Sequence, residues 1–212
     1  MIKTKKELKF YIMADRIMAG KDAKPSIKER VFDIFSNGNI ILKYLKYMRK
    51  QSYCNHLDTK SFTIGRIKKA YVNYMYHKLG LKLGFSIGAD VFGYGLLIPH
   101  YGTIIVNGNT KVGNYSVLHT CTCIGGNPKT IGNALYLSSG AQIMGEINLG
   151  NNISIAANSL VNKSFGDNLL LAGSPATIKK NDYIPWYERD NKIFKERVNK
   201  IELLKNEMGI RI

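Results

Sequence analysis

Two of the four histidines in the chain, His100 and His119, are placed where they could carry acid–base chemistry. An imidazole with an ordinary pKa near 6.5 takes up and returns a proton at neutral pH. His100 follows Ile98 by two residues and His119 follows Leu118 by one, and both apolar residues belong to a regular repeat. His56 and His77 lie in a segment with helical patterns, where we expect structural roles.

The three cysteines predict neither a disulfide framework nor a metal site. Their number is odd, and Cys121 and Cys123 are followed by no second cysteine pair and no histidine pair at ligand spacing. We therefore expect no metal, and expect inert thiols on the wall of a repeat.

A six-residue period organises residues 87–178. Apolar residues recur at this spacing, and small or β-branched residues often follow four places later. Such a period predicts a left-handed parallel β-helix with eighteen residues in each coil of three short strands, and Asn or Gly at the corners. The apolar positions are Phe92, Ile98 and Ile104; Val106, Val112, Leu118 and Ile124; and Ile131, Leu137, Ile143, Leu149, Ile155 and Val161.

The period breaks twice, by two residues between Ile104 and Val112 and by one between Ile124 and Ile131. Breaks in a solenoid become loops on its outer surface, where function concentrates. The register also places His100 and His119 on the same face of adjacent coils, about 5 Å apart along the axis.

Helical patterns flank the repeat on both sides. We predict an N-terminal helical domain over residues 1–80, the β-helix domain over 81–181 and a C-terminal helix within 182–212. Apolar stripes indicate several N-terminal helices, one of them from Pro25 to about Phe35 with Ser26 and Glu29 as a capping box.

The net charge of +16 lies mainly in the N-terminal domain, where residues 1–80 carry 18 basic and 6 acidic side chains. A basic face attracts an anionic membrane or an acidic glycan, although a solvated helical surface explains the charge equally well. No motif accompanies it that would indicate nucleic acid. No apolar run is long enough to span a bilayer, and the N-terminus lacks a secretory pattern. We expect a cytoplasmic protein, with peripheral contact at the inner membrane face as a further expectation.

Four segments resemble one known family over about residues 87–180. They are GLLIPHYGTIIVNGNTKVG, LYLSSGAQIMGEINLG, ISIAANSLVNKS and LLLAGSPATIKK, and they resemble serine acetyltransferases and the related enzymes that O-acetylate capsule and other surface sugars. The resemblance implies an acetyl-CoA-dependent O-acetyltransferase acting as a homotrimer, with His100 as general base and His119 beside it. Resemblance to galactoside acetyltransferases implies that coenzyme A contacts Ser139, Ala157, Asn162, Lys163 and Lys180.

Departures from the family favour a sugar as acceptor. Pro99 stands where serine acetyltransferases carry Asp, Phe85 and Ser86 stand where a carboxylate orients the histidine, and Asn127-Pro128 replaces a His-Pro pair. We therefore expect a hydroxyl of a surface glycan or its precursor, bound by Tyr94, Tyr101 and Asn127. Serine O-acetylation is the alternative, and a non-catalytic scaffold or binding module is the alternative of another class. A γ-type carbonic anhydrase needs three converging histidines, which the repeat does not contain.

Overall fold

Three helices precede the repeat in the computed structural model, which describes residues 2–29, 39–57, 63–189 and 192–212. They are α1 (Lys5–Met18), α2 (Ile40–Asn55) and α3 (Thr63–Leu83). Thr4 caps α1 by accepting a hydrogen bond from the Glu7 amide at 3.0 Å. The Ser26 hydroxyl accepts from the Glu29 amide at 3.1 Å, as the capping box predicts. Residues 30–35, the rest of that predicted helix, lie outside the described residues.

The repeat folds as a left-handed β-helix of about five turns, as predicted. The strands are β1 (Phe85–Ile87), β2 (Ile104–Val106), β3 (Lys111–Val112), β4 (Val117–Leu118), β5 (Thr122–Ile124), β6 (Thr130–Ile131), β7 (Tyr136–Leu137), β8 (Gln142–Ile143), β9 (Asn148–Leu149), β10 (Ile153–Ile155), β11 (Leu160–Val161), β12 (Leu169–Gly173) and β13 (Ala176–Lys180). They form three sheets, which we call walls: wall A has the strand order β1-β2-β5-β8-β11, wall B β3-β6-β9 and wall C β4-β7-β10-β12-β13. Every pairing is parallel except that of β12 with β13.

Every apolar residue of the six-residue period is buried and belongs to one continuous core. This core also takes in one face of α2 and α3, including Tyr44, Met48 and Leu79. A single coil cannot bury its inward side chains alone, so the coils depend on their neighbours and on these helices.

One corner of the β-helix, where wall B passes into wall C, carries a column of side-chain hydrogen bonds that we call the Asx ladder. Asn114, Asn133, Asn151 and Asp167 follow one another from coil to coil. Each side-chain oxygen accepts from a backbone amide of the preceding coil, at distances of 3.1, 2.8, 2.9 and 2.5 Å in that order. Next to the ladder the chain takes positive φ angles at Gly95, Tyr115, Ala134, Asn152 and Asn168.

The corner composition is therefore broader than Asn and Gly. Tyr115 and Ala134 adopt left-handed conformations at φ 61° and 59°, at a cost of about 1–2 kcal/mol each for residues with a Cβ. Tyr115 is buried and its ring packs against Tyr94 of the preceding coil and Tyr187 of the C-terminal segment, and this packing offsets its strain.

The position predicted for the first break in the period is wrong. Leu97 pairs with Val117, whereas Ile104 pairs with Thr122 and Val106 with Ile124. The two extra residues therefore lie between Ile98 and Val106, in the segment that carries His100. Periodicity alone could not locate them because Ile104 and Val106 are both buried. The predicted one-residue excess between Ile124 and Ile131 is confirmed by the pairings on either side of it.

The C-terminal segment forms α4 (Trp186–Arg189) and α5 (Lys192–Glu207). Helix α5 packs against α1, with Ile201 buried and the Arg197 guanidinium donating to the Met18 carbonyl at 2.9 Å. The C-terminal helix therefore packs on the N-terminal helices. None of the helices in the described part of the chain is both long and apolar enough to cross a bilayer.

One buried ion pair joins the helices to the first coil. The Arg49 guanidinium on α2, 1% exposed, contacts the carboxylate of Asp15 on α1 at 2.8 and 3.1 Å. The same guanidinium donates to the carbonyls of Phe92 and Gly93 at 2.6 Å each. Asp15 in turn accepts from the Leu96 amide at 3.0 Å. The segment leading to His100 is thus anchored to two helices.

Candidate active site

Most of the predicted site residues lie on the two long edges of wall A. His100, His119, Ser139 and Ala157 all lie between a strand of wall C and the following strand of wall A, on what we call the C–A edge. Coil stacking places them one above another along this edge. The order runs from the two histidines at the N-terminal coils to Ala157 near the C-terminal end.

The two imidazoles lie within electrostatic range of each other, as the repeat register predicts. His119 is half-buried, and burial together with the positive charge that His100 carries when protonated lowers the pKa of His119 below 6.5. His119 is therefore largely neutral at pH 7 and can accept a proton or a hydrogen bond. Its ring also lies 5.2 Å from that of Tyr136.

Of the two tyrosines expected to bind a substrate, the structure leaves one accessible. Tyr101, next to His100, is 74% exposed. The expectation for Tyr94 is wrong, because the residue is only 3% exposed and its ring packs against Phe10, Tyr11 and Tyr115. The Tyr94 hydroxyl donates to the Glu202 carboxylate on α5 at 2.8 Å. Tyr94 therefore joins the C-terminal helix to the β-helix and offers no face to a ligand.

Four of the five residues expected to contact coenzyme A lie along wall A. Ser139 and Ala157 are exposed and stacked, with the Asn158 amide donating to the Ser139 carbonyl at 3.0 Å. Asn162 and Lys163 are exposed on the opposite edge, where wall A passes into wall B. Lys180 is separate from these four, since it lies on the antiparallel strand β13 of wall C.

Asn127 lies on the same edge as Asn162, in the loop with the one-residue excess. Its side chain is exposed, and its carbonyl accepts a hydrogen bond from the ammonium of Lys129 at 2.7 Å. Lys129 is buried and also donates to the Gly145 carbonyl of the next coil at 2.6 Å. Burial lowers the pKa of Lys129. The loop is therefore held against the following coil by a lysine inside it.

The carboxylate nearest in sequence before His100 is engaged elsewhere. Asp90 accepts hydrogen bonds from Ser52 at 2.6 Å and Asn55 at 3.1 Å, and its oxygen lies 3.4 Å from the His56 ring. Burial alone would raise the pKa of Asp90, but these hydrogen bonds outweigh it and hold the pKa below its usual range. Asp90 thus fastens α2 to the first coil, and Phe85 is buried against Tyr44.

No three His, Cys, Asp or Glu side chains gather in a metal-binding cluster within the described ranges.

Sequence reasoning missed the outward side chains of wall A and the ring beside His119. Ile105 and Gln142 are exposed on wall A between the two edges, each directly before an inward residue of the repeat. Tyr136 precedes inward Leu137 in the same way, one coil after Val117. The alternation of inward and outward positions could have found all three.

Comparison with known proteins finds partial similarity to serine acetyltransferases. No family model matches the chain. Curated serine acetyltransferases do match it: that of Buchnera aphidicola is 30% identical over 121 residues, which are 52% of this chain and 44% of that protein. Those of Synechococcus elongatus and Helicobacter pylori are 26% and 29% identical, over 41% and 44% of this chain and 38% and 59% of theirs. The chain thus spans about half the length of the curated relatives it matches.

Solved structures share the fold. A serine acetyltransferase in complex with CoA aligns over 79% of this chain and 67% of its own, with a TM-score of 0.58 and 20% identity. The chain therefore has the fold of these serine acetyltransferases and is similar to them in sequence over about half of its length. The Neisseria gonorrhoeae serine acetyltransferase in complex with serine also aligns, over 81% of this chain and 68% of its own, with a TM-score of 0.55 and 18% identity. These alignments cover more of the chain than the β-helix alone, so the shared fold includes helices that flank the repeat.

Proposed function

We propose that the chain is an acetyl-CoA-dependent O-acetyltransferase with His100 as general base. The observation that carries the proposal is the C–A edge. Two interacting imidazoles lie at its N-terminal coils, and Ser139 and Ala157 continue the same edge. A thioester lying along this edge would bring its acetyl group to the histidines.

The reaction follows from these positions. The His100 imidazole takes the proton of the acceptor hydroxyl as its oxygen attacks the thioester carbonyl. The tetrahedral intermediate then expels the coenzyme A thiolate, the carbon–sulfur bond breaks, and His100 returns the proton to sulfur. Because its pKa is lowered, His119 adds no fixed positive charge at pH 7 that would oppose protonation of His100. We regard His119 as the residue that positions His100.

A homotrimer completes this proposal. A cofactor as long as coenzyme A needs a groove with two walls, and wall A supplies one of them along its full height. The second wall would come from the neighbouring β-helix of a closed ring. The exposed side chains of Asn127, Asn162 and Lys163 would then lie on the edge of wall A away from the histidines.

L-serine is the first candidate acceptor, because the relatives and solved structures are serine acetyltransferases. These comparisons do not support the preference for a glycan that the sequence alone suggested.

A glycan hydroxyl is the second candidate acceptor, and it is favoured by the residues beside His100. Pro99 has neither a charged group for the ammonium of serine nor a backbone donor, and an unpaired ammonium in a partly dry site is costly. Tyr101 is exposed and offers the aromatic face on which sugars pack.

Release of the coenzyme A thiol by the purified chain tests both the proposed acetyl transfer and the identity of the acceptor. With a competent acceptor, His100→Ala should lower turnover by about 10²–10⁴-fold. His77→Ala, an exposed histidine on α3, is the matched control and should retain activity. Parallel assays with L-serine, free sugars and polysaccharide identify the acceptor. If none of these acceptors supports thiol release, the result would favour a non-catalytic scaffold. Near-normal turnover of His100→Ala would remove His100 from the mechanism.

Two expectations stay predictions, because the proposed chemistry requires neither of them. They are the cytoplasmic location and the contact of residues 1–80 with an anionic membrane.

A further inference from the structure

Helix α3 has two apolar faces, and among the described residues one face is buried whereas the other is exposed. Val72, Tyr76, Leu79 and Leu83 are buried between the helix and the rest of the protein. A second set follows spacings of four, three, four and three residues, which places its members on one side of a helix. This set, the α3 stripe, consists of Ile67, Tyr71, Tyr74, Lys78 and Leu81.

The stripe is well exposed. Ile67 is 65% and Leu81 86% exposed, and Tyr71 and Tyr74 are 55% and 56% exposed. The ammonium of Lys78 lies over the Tyr74 ring at 5.3 Å from its centroid. An aliphatic residue near each end, two tyrosines and a lysine between them form the pattern of a helix that lies in a membrane interface.

The surroundings of the stripe are strongly cationic. Neither α2 nor α3 contains an acidic residue. Burial lowers the pKa of Lys50, and the positive charges of Lys46 and Lys68 lower it further, so like charges crowd this surface. An anion bound here would relieve that repulsion. The two helices carry Lys43, Lys46, Arg49, Lys50, Arg66, Lys68, Lys69, Lys78 and Lys82, of which Arg49 is buried in its ion pair with Asp15.

We propose that the α3 stripe and the lysines beside it dock the protein on an anionic lipid bilayer. Ile67 and Leu81 would enter the boundary between headgroups and acyl chains, and the tyrosine rings would lie at headgroup level. The lysines would meet lipid phosphates, each strengthening binding by about fivefold. The binding does not depend on acetyl transfer and is measured without acetyl-CoA.

Charge and apolar exposure favour this occupant over two others. A second copy of the chain would bring one cationic surface against another, which is unfavourable. A soluble polyanion would use the lysines but gain little from Ile67 and Leu81. An anionic surface with an apolar interior uses both the apolar side chains of the α3 stripe and the lysines beside it.

Co-sedimentation of the full chain with vesicles tests the proposal. One set is phosphatidylcholine alone and the other contains about one-third phosphatidylserine, both at about 0.1 M salt. We expect binding to the anionic vesicles only. The double variant Ile67→Gln/Leu81→Gln should weaken it by about tenfold or more. Leu203→Gln on α5, at 63% exposure, is the matched control and should leave binding unchanged.

A second pair of variants separates charge from apolar contact. Lys68→Gln should weaken vesicle binding by about fivefold, whereas Lys200→Gln on α5 should have little effect. Thermal melting establishes that each variant is folded. The proposal is overturned if the chain does not bind anionic vesicles, or if it binds neutral ones as well. Normal binding of the Ile67→Gln/Leu81→Gln variant to both anionic vesicles and heparin would also overturn the proposal, because it would indicate a polyanion site. A variant that forms a smaller oligomer but still binds vesicles would overturn it as well, because the stripe would then be a contact between copies of the chain.

Discussion

Replacing Arg49 with leucine should destabilise the protein far more than removing an exposed ion pair. Arg49 donates to both oxygens of Asp15 and to two carbonyls of the first coil, in a nearly water-free environment. Leucine fills part of the volume but leaves the Asp15 carboxylate without its cation. Breaking a buried pair by removing one partner costs about 3–5 kcal/mol, because an uncompensated charge remains. For a chain of this length, that corresponds to a fall in melting temperature of about 10 °C.

Denaturant unfolding and thermal melting measure this loss of unfolding free energy. Two control variants show whether the loss comes from the buried charge left on Asp15. Lys195→Met removes an exposed pair with Glu188 and should change the unfolding free energy by no more than about 0.5 kcal/mol. The double variant Asp15→Leu/Arg49→Leu removes both charges and should recover about half of the loss, because the two carbonyls still lack their donor.

The loss in Arg49→Leu should also depend on pH. Burial raises the pKa of Asp15, and Arg49 is the main group that counteracts this effect. Without Arg49 the folded-state pKa rises further above that of the unfolded chain, so the folded state binds a proton more tightly. The unfolding free energy of the variant should therefore increase as the pH falls from about 7 towards 5. A loss below about 1 kcal/mol, or one that is constant over this pH range, would refute the reasoning.

Three further predictions concern the coils and the site. Gly132→Ala should lower the unfolding free energy by about 1–3 kcal/mol, because the new Cβ would lie 2.7 Å from a backbone nitrogen of the next coil. Gly108→Ala is the control, since its Cβ would have open space, and it should leave the melting temperature unchanged. Acetyl-CoA at about 100 times its Kd should raise the melting temperature by about 5 °C or more, and Lys163→Ala should reduce that rise at a fixed concentration; no rise at millimolar acetyl-CoA favours the scaffold. An NMR titration should place the His119 pKa below 6.5, and His100→Ala should move it upward by removing a neighbouring positive charge; an unchanged pKa would contradict their proximity.

The β-helix was predictable because its period is imposed by packing. An inward side chain is required at every sixth position, and a polar residue there would be buried without a partner. Ile131, Leu137 and Ile143 therefore indicate the fold by spacing alone, and the same count brings His100 and His119 to one edge.

The features that depend on contacts between distant segments were not predictable. Tyr94 occupies an outward position like many ligand-binding residues, but Glu202 and Phe10 cover it from segments far away in sequence. The extra residues beside His100 were misplaced because Ile104 and Val106 satisfy the same packing rule. The partners of Arg49 likewise come from two separate segments, and no spacing in the sequence relates them.

The Asx ladder has a consequence for how the protein is assembled from the unfolded chain. Each rung joins one amide of a coil to a side chain of the following coil, so the ladder amide of a finished coil finds its partner only in the next segment of chain. Contacts of this kind are nearest-neighbour contacts, and folding can advance one coil at a time from a nucleus. The first coil is anchored by Arg49 and Asp90, which makes it a natural nucleus. The same coupling makes the coil the unit of tolerated length change: a whole added coil renews every rung, whereas a single extra residue is accommodated only where it can form an outer loop, as it does between Ile124 and Ile131.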